Sequence, residues 1–345
     1  MNTTPAYSLL SLLVFVFFIT FSSVAAWADQ QELNYRLKWL FNIGASGDIY
    51  AQANGSFTAQ GLKVRVREGS PEKNVINELE LGRADFGVAS ADQVIQALDK
   101  GAHLVVLAQI FQINPMQWIY RDDQPKINKL ADLRGRKIGI TFGGNDETIM
   151  RTLLTQASIK EKEVKLSGVR FDFTPFFRRK VEIWPVYRNT QGVILKEKLA
   201  QEGEGVRFFN PADFGVHFVA NSIITSEKML KEQPQVVKKF LTALLQGWKA
   251  AMNPAEENKV LAAVKKMNKN NEDGIMKKQI AITRELVRPA SGTIGAINEV
   301  AWKQTEAIML RQGRIKQAVH VEKYLRQQYA QCELTDEPSG TGVLK

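Results

Sequence analysis

The sequence predicts an α/β fold built from two lobes. Three observations support this prediction. The chain has 345 residues, which is long for one small domain and suits two. Up to about residue 225, short apolar segments alternate with helix-compatible ones, as in a parallel sheet with crossover helices. From Ser226 onward the pattern is helical throughout.

The pattern begins with a strand, a polar loop, a helix and a second strand. The apolar run Leu37–Phe41 predicts the first strand, and the small polar residues of Asn42–Asp48 predict the loop. Helix-compatible residues continue to Phe57, and Gly61 ends the helix. Leu62–Val66 alternates apolar and basic residues, which is the period of a strand. In open α/β sheets ligands bind beyond the carboxyl ends of strands, so the loop is a candidate binding segment.

The rest of the first lobe repeats this alternation. Ser70 has the side chain of a helix N-cap, and a helix is predicted after it. Ala84–Ala89 is predicted to be a buried strand, and Ser90 then begins another helix. His103–Phe111 is a long apolar strand.

A second α/β unit follows. After a strand at Trp118–Tyr120 that leaves the first lobe, the strands of this unit are predicted at Lys137–Phe142, Val169–Phe173, Val181–Val186 and Val206–Phe209. Gly143–Glu147 begins a helix in this unit. The strand-like segment Phe214–Thr225 then carries the chain back to the first lobe.

The last part of the chain is predicted to contain only helices and a tail. The later helices are predicted at Ala255–Met267, Gly274–Val287, Ile297–Leu310 and Gln317–Tyr329. Lobe 1 is therefore expected to comprise residues 29–120 plus 215–330, and lobe 2 residues 121–214. Residues 331–345 are expected to be a disordered tail.

Residues 1–28 have the pattern of a signal peptide that is cleaved near Ala28. Leu9–Phe21 is almost entirely apolar, and the small–large–small pattern Ala26–Ala28 suits a signal peptidase. The apolar stretch is about 13 residues long, short of the ~20 that span a bilayer. No Lys or Arg precedes it, so an uncleaved anchor is the alternative. The mature protein is expected to be soluble and periplasmic.

Charge and cysteine content exclude several classes of function. The net charge is +10, but the basic residues are scattered and form no stripe beside aromatic residues, so a nucleic-acid partner is not expected. The single cysteine, Cys332, allows no intrachain disulfide. The three histidines show no metal-ligand spacing, so no metal site is expected.

The first strand–loop–helix unit resembles a known family. The residues that carry the resemblance are Trp39, Asn42, Gly47, Phe57, Gly61, Leu62 and Val64. They resemble the start of periplasmic solute-binding proteins of the thiamine-pyrimidine-precursor type, which are related to nitrate, sulfonate and taurine binders. The resemblance implies a two-lobed periplasmic binding protein fold of type II, with two crossover segments and a helical C-terminal region. It also implies a monomer that binds a small molecule and works with an ABC transporter permease, without a cofactor.

In such a fold the ligand binds in the cleft between the lobes. The candidate ligand-binding residues from lobe 1 are Trp39, Asn42, Gly47, Asp48, Ser70 and Ser90. Those from lobe 2 are Gly143, Gly144, Asn145, Glu147, Trp184, Tyr187, Arg188 and Asn189.

Each candidate also has a purely structural interpretation. Asn and Asp side chains of the first loop can hydrogen-bond a ligand or cap a helix. The free N–H groups at Gly143–Asn145 suit an anion, whereas the acids Asp146 and Glu147 oppose one. The aromatic rings of Trp184 and Tyr187 suit a planar heterocycle, and they also suit a core.

The expected function is non-enzymatic capture of a small planar heterocycle for an ABC importer. No catalytic grouping of nucleophile, base or metal is evident in the sequence. The alternatives are a nitrate or sulfonate binder, a sensory binding protein and a pyrimidine-precursor synthase. The resemblance argues against the last, because such synthases have a histidine where this chain has Ala45, and their cysteine-rich motif is missing.

Overall fold

The computed structural model describes residues 32–331, except for residues 71, 271 and 288–292. The predicted signal segment, 1–28, lies outside the described residues. So does the predicted tail, apart from its first residue. Within the described part of the chain, none of the helices combines the length and the apolar character that a membrane span requires.

The first lobe contains a five-stranded sheet. Its strands are β1 (Leu33–Arg36), β2 (Val64–Arg67), β3 (Phe86–Ala89), β4 (Leu104–Gln109) and β10 (Ser222–Ser226), in the order β2-β1-β3-β10-β4. Strand β1 is parallel to β2 and β3, as predicted. Strand β10 is antiparallel to both of its neighbours, because it enters the sheet after the chain returns from the second lobe.

The first strand lies earlier in the chain than predicted. It covers Leu33–Arg36, and its side chains alternate between buried and half-buried. The prediction of a strand at Leu37–Phe41 is therefore wrong. These residues continue beyond the sheet, and all five contribute to the wall of the cavity described below.

The second lobe contains two small sheets that a bridge joins. Its strands are β5 (Met116–Arg121), β6 (Lys137–Ile140), β7 (Lys165–Gly168), β8 (Trp184–Tyr187) and β9 (Val206–Phe209). Strand β5 lies between β8 and β9 and is antiparallel to both, whereas β6 and β7 are parallel. A parallel bridge between Ile138 and Ile183 connects the two sheets. The predicted strand at Val169–Phe173 is wrong, because β7 ends at Gly168 and the next residues line the cavity.

The chain crosses between the lobes twice, over residues 110–115 and 210–221, which lie between strands of different sheets. The exact limits of the two lobes stay a prediction.

Thirteen α-helices pack around the sheets of the described residues. They are α1 (Ser46–Ala53), α2 (Ser56–Ala59), α3 (Val75–Glu80), α4 (Ala91–Asp99), α5 (Asn145–Gln156), α6 (Thr174–Phe177), α7 (Gln191–Gln201), α8 (Glu227–Glu232), α9 (Pro234–Ala251), α10 (Glu257–Met267), α11 (Asp273–Val287), α12 (Glu299–Arg311) and α13 (Gln327–Gln331). The helix predicted from Ser70 begins at Val75, because Asn74 accepts the N–H groups of Ile76 and Asn77 and is the actual N-cap.

The helix predicted at Gln317–Tyr329 is also wrong. The segment contains a 3₁₀ turn at Val321–Tyr324, followed by the short helix α13. Between them Leu325 forms a bridge with Val106, and the Arg326 N–H donates to the Val106 carbonyl at 2.9 Å. Pairing with β4 requires an extended backbone, which interrupts the helix.

Helix α9 fixes the loop-bearing helix α1 against the first sheet. The two helices approach closely at two glycines. A Cβ atom on Gly47 would lie 2.0 Å from a ring carbon of Trp248, and one on Gly247 would lie 2.3 Å from the Cβ of Ala51. Since neither site has room for a side chain, these glycines set the distance between the helices. The position of the Asn42–Asp48 loop depends on this packing.

Candidate functional site

A cavity of about 290 Å³ lies between the two lobes. Its wall comes from the segment after β1, the start of α5, the segment after β7 and the end of β8, with Asn268 and Gln279 from the helical region. The strand-end segments come from both lobes, and such segments are where open α/β folds bind ligands. The cavity is therefore the candidate functional site.

Lys38 reaches across the cavity from the first lobe to the second. Its Nζ donates hydrogen bonds to Asn145 Oδ1 and to Tyr187 Oη, each at 3.0 Å. The Tyr187 hydroxyl donates in turn to Asn221 Oδ1 at 3.3 Å, which leaves its oxygen free to accept from Lys38. A chain of hydrogen bonds thus joins both lobes and the second crossover segment.

An aromatic pair also spans the cleft. The rings of Trp39 and Phe171 lie 4.9 Å apart between centroids, with their planes tilted by 47°. Phe171 is 43% exposed, so the pair is open to solvent on one side. Beside it, Arg170 forms an ion pair with Glu72 across the same opening. These contacts hold the lobes together in this structure.

Asp48 is a buried carboxylate in the cavity wall. Its Oδ1 accepts the hydroxyl of Tyr35 at 2.7 Å and the indole N–H of Trp248 at 3.0 Å. The side chain is almost inaccessible, and this burial raises its pKa to about 7, although both hydrogen bonds act in the opposite direction. Near neutral pH, Asp48 can therefore either accept or donate a hydrogen bond.

Asp146 is the second buried acid of the wall. Its Oδ2 accepts the backbone N–H of Thr141 at 2.5 Å. Burial raises the pKa of Asp146 to about 6, and its hydrogen bonds and the positive charge of Lys38 limit that rise. The cavity wall thus contains the ammonium group of Lys38 and two carboxyl groups whose charges depend on pH.

The structure brings nine of the fourteen predicted site residues to the cavity wall. They are Trp39, Asn42, Asp48, Ser70, Gly143, Gly144, Asn145, Trp184 and Tyr187. Asn42 also has a structural role, because its Oδ1 accepts a hydrogen bond from the Gly44 N–H at 2.7 Å. Ser70 likewise accepts the N–H of Lys73 at 3.2 Å. Ligand contact by these nine residues stays a prediction.

Two lobe 1 candidates lie outside the cavity wall for structural reasons. Gly47 is placed against Trp248 in the helix contact described above. Ser90 is fully buried, and its side chain and backbone N–H bond to Gln93, which is the capping arrangement of a helix start.

Three lobe 2 candidates also lie outside the wall, each with other partners. Glu147 accepts from the Gly143 N–H at 2.8 Å and from Arg151 at 2.9 Å. Arg188 pairs with Glu285 of α11 at 3.2 Å. Asn189 is fully buried and donates to Thr283 Oγ1 at 2.9 Å. The contacts of Arg188 and Asn189 therefore attach α11 to the second lobe.

Trp184 reaches the cavity wall but belongs mainly to the core of the second lobe. Its side chain is 1% exposed. Its ring packs against Phe173 and Phe176, with centroids 5.7 and 6.0 Å away. Most of its ring surface is thus already covered by other aromatic side chains.

Sequence reasoning missed several polar residues of the wall. They include Lys38, Gln93, Asn221, Asn268 and Gln279. Lys38 directly precedes Trp39 at the end of the first strand unit, which is a signal that could have identified it. Asn268 and Gln279 belong to the helical region, and no local pattern distinguishes them from helix surface.

No set of three or more His, Cys, Asp or Glu side chains that could hold a metal ion is found among the described residues.

The comparisons with known proteins agree with this geometry. The chain is 23% identical over 307 residues to the formylaminopyrimidine-binding protein of Halalkalibacterium halodurans, covering 87% of this chain and 92% of that protein. It is 24% identical over 220 residues to a putative thiamine biosynthesis protein of Haemophilus influenzae, covering 63% and 68%.

Among solved structures, the periplasmic nitrate-binding protein NrtA from Synechocystis PCC 6803 matches with a TM-score of 0.68 at 11% identity, covering 89% of each chain. This likeness shows the two-lobed periplasmic binding protein fold that the sequence predicted. The model of the family described as NMT1/THI5 like matches residues 42–257, which include segments of both lobes and most of the cavity wall. The chain belongs to the NMT1/THI5-like family.

Proposed function

We propose that this chain is the periplasmic substrate-binding component of an ABC-type importer and that it captures a small planar heterocycle related to thiamine precursors. The observation that carries the proposal is the cavity between the lobes, with Trp39 and Phe171 on opposite sides of its opening. Aromatic faces bind planar rings well, and the amide and carboxyl groups of the wall can bond the edge of a ring.

The two buried acids favour a ring with N–H donors. A heterocycle that carries an amino group beside a ring nitrogen offers a donor and an acceptor side by side. Asp48 can match either, because its pKa of about 7 allows both protonation states near neutral pH. A bare nitrate ion offers only acceptors and no apolar face, so it uses neither the aromatic pair nor an ionised Asp48.

The relative named for binding aligns with 87% of this chain, whereas the relative named as a phosphate synthase aligns with 61% of it, which favours a binding role. One relative that aligns with most of this chain is named for binding formylaminopyrimidine. In the proposed role the chain acts as a monomer, delivers its ligand to a membrane permease and makes or breaks no covalent bond. A nitrate-binding or sulfonate-binding role is the second candidate, and the ammonium group of Lys38 favours it.

A thermal-shift screen of the mature chain tests the proposal. The ligands are aminopyrimidines and other thiamine precursors, unrelated heterocycles, alkanesulfonates and nitrate. An aminopyrimidine should raise the melting temperature in proportion to the logarithm of its concentration, as mass action requires. Calorimetry on Trp39→Ala should then show weaker binding. A response to sulfonates or nitrate alone would contradict the proposal, as would turnover of any precursor.

A further inference from the structure

Lys38 is a half-buried cation whose visible partners are all neutral. Its Nζ bonds to an amide oxygen and a phenol oxygen, and it lies 5.5 Å from the centroid of the Tyr187 ring. In the part of the chain that the structure describes, no carboxylate forms an ion pair with it. A partly desolvated charge is costly unless an opposite charge compensates it.

The two other cations of the cavity wall are either ion-paired or solvated. Arg170 pairs with Glu72. Lys73, which also contributes to the wall, is exposed, so water solvates it. The nearby acids form no ion pair with Lys38 among the described residues, although the charge of Lys38 acts on Asp146 through space. Asp48 Oδ1 is bonded to Tyr35 and Trp248, and Asp146 Oδ2 to the Thr141 N–H.

Lys38 and Asn145 together have more N–H donors than the described residues provide acceptors for. An ammonium group has three N–H donors, and Asn145 and Tyr187 accept two of them. The Asn145 side chain is 5% exposed, and its Nδ2 has no acceptor. The alternative amide orientation would place Nδ2 against the Lys38 ammonium, so the contact with Lys38 fixes the orientation observed. Two unsatisfied donor groups therefore lie side by side in one wall of the cavity.

We propose that Lys38 and Asn145 form a subsite for an anionic substituent of the ligand, such as a phosphate monoester, a carboxylate or a sulfonate. This inference rests on the proposed function, since it adds a negatively charged group to the heterocycle. The anion neutralises Lys38 and accepts from Asn145 Nδ2. Because Lys38 belongs to the first lobe and Asn145 to the second, the same group links the lobes around the ligand.

Matched ligand pairs test the subsite by calorimetry. The first pair is 4-amino-5-hydroxymethyl-2-methylpyrimidine and its phosphate monoester, which share one ring. The second pair is 2-hydroxyethanesulfonate and ethylene glycol, which lack a ring. The anionic member of at least one pair should bind about 10- to 100-fold more tightly than the neutral one, as charge-assisted hydrogen bonds imply.

Lys38→Met removes the charge and keeps most of the side-chain length, and it should abolish this preference. The control is Lys126→Met, an exposed lysine outside the cavity wall, which should retain it. If Lys38→Met fails to fold by circular dichroism, Lys38→Gln replaces it. Asn145→Ala should reduce the preference in the same direction.

The outcomes separate the two proposals. If both pyrimidines bind wild type equally and the sulfonate binds no more tightly than ethylene glycol, the subsite is wrong and the proposed function stands. If only the sulfonate binds, and binding depends on Lys38, the subsite stands and the heterocycle is wrong. If no anionic probe binds, or if Lys38→Met keeps the preference, the subsite is overturned.

Discussion

The hydroxyl of Tyr35 donates to Asp48 Oδ1 at 2.7 Å, in the interior between the first sheet and helix α1. Trp248 of helix α9 donates to the same oxygen. One carboxyl group therefore connects a strand and two helices and also contributes to the cavity wall. The stability of the first lobe and the chemistry of the site both depend on its protonation state.

The first prediction concerns the pH dependence of stability. Burial raises the pKa of Asp48 to about 7 and that of Asp146 to about 6, from about 4 in the unfolded chain. Protonation therefore favours the folded state. This contribution is fully present below about pH 4 and is lost as pH rises through 6 to 7.

The free energy of unfolding, measured by urea titration from pH 5 to 8, should decrease with pH in wild type. Asp48→Asn should flatten the part of the curve between pH 6 and 7, because an amide keeps the acceptor for Tyr35 and Trp248 but does not titrate. The exposed Asp213→Asn serves as the control and should leave the slope unchanged. An equal slope in wild type and Asp48→Asn would contradict the assigned pKa.

The second prediction concerns the contact between α1 and α9. Gly47→Ala and Gly247→Ala should each lower the free energy of unfolding by about 1–3 kcal/mol, because the added methyl group has no space. Gly274→Ala is the matched control. It also lies in a helix, but nothing lies within 4 Å of its added Cβ, so it should be neutral or stabilising by up to about 1 kcal/mol. If all three variants unfold alike in denaturant titrations, the close approach is not important for stability.

The third prediction concerns the buried Glu306. Its carboxylate accepts three successive backbone N–H groups, from Val319, His320 and Val321, at 2.6, 2.8 and 3.0 Å. It holds His320 in a left-handed backbone conformation, with φ of 57°, that is unfavourable for a residue other than glycine.

In Glu306→Gln an NH₂ group, which cannot accept a hydrogen bond, replaces one of the carboxylate oxygens. The substitution should lower the free energy of unfolding by about 1.5–3 kcal/mol. Hydrogen exchange at the three amides should accelerate more than exchange in the first sheet. Glu299→Gln, on the exposed face of the same helix, should change neither quantity appreciably. Unaltered protection of the three amides in Glu306→Gln would disprove the role of the carboxylate.

The parts of the fold that the sequence predicted well are those whose residue pattern has one interpretation. Strands β3 and β4 are fully buried apolar runs, and both lie within their predicted segments. The errors at Leu37–Phe41 and Val169–Phe173 have a common cause. Both segments carry apolar side chains that line a cavity rather than pair in a sheet, and hydrophobic pattern alone does not distinguish the two.

The sequence predicted which segments form the candidate site better than it predicted which side chains line it. Strand-end loops do meet at the cavity, as the topology requires. Asn189, however, faces α11, and this contact depends on how the helical region folds back onto the second lobe. The position of Lys38 before Trp39 indicates the site, but its bridging contacts depend on Asn145 and Tyr187, which are more than 100 residues away in the sequence.

The fourth prediction separates the two tryptophans of the cavity. Trp39→Ala should weaken heterocycle binding about 10-fold or more, because its ring pairs with Phe171 at the solvent-exposed opening and is available to stack on a ligand. It should change the free energy of unfolding little. Trp184→Ala should instead destabilise the protein by about 3–5 kcal/mol, since it removes a fully packed side chain from the second lobe.

Calorimetry and urea unfolding of both variants distinguish these effects, and Phe171→Ala should behave like Trp39→Ala. Phe142→Ala is the control, because it removes an exposed aromatic ring that does not belong to the wall of the interlobe cavity. If Trp184→Ala loses affinity at wild-type stability while Trp39→Ala binds normally, the ligand contacts the interior wall of the second lobe and not the aromatic pair. The planar ring of the ligand would then lie deeper in the cavity, beyond stacking contact with Trp39 and Phe171.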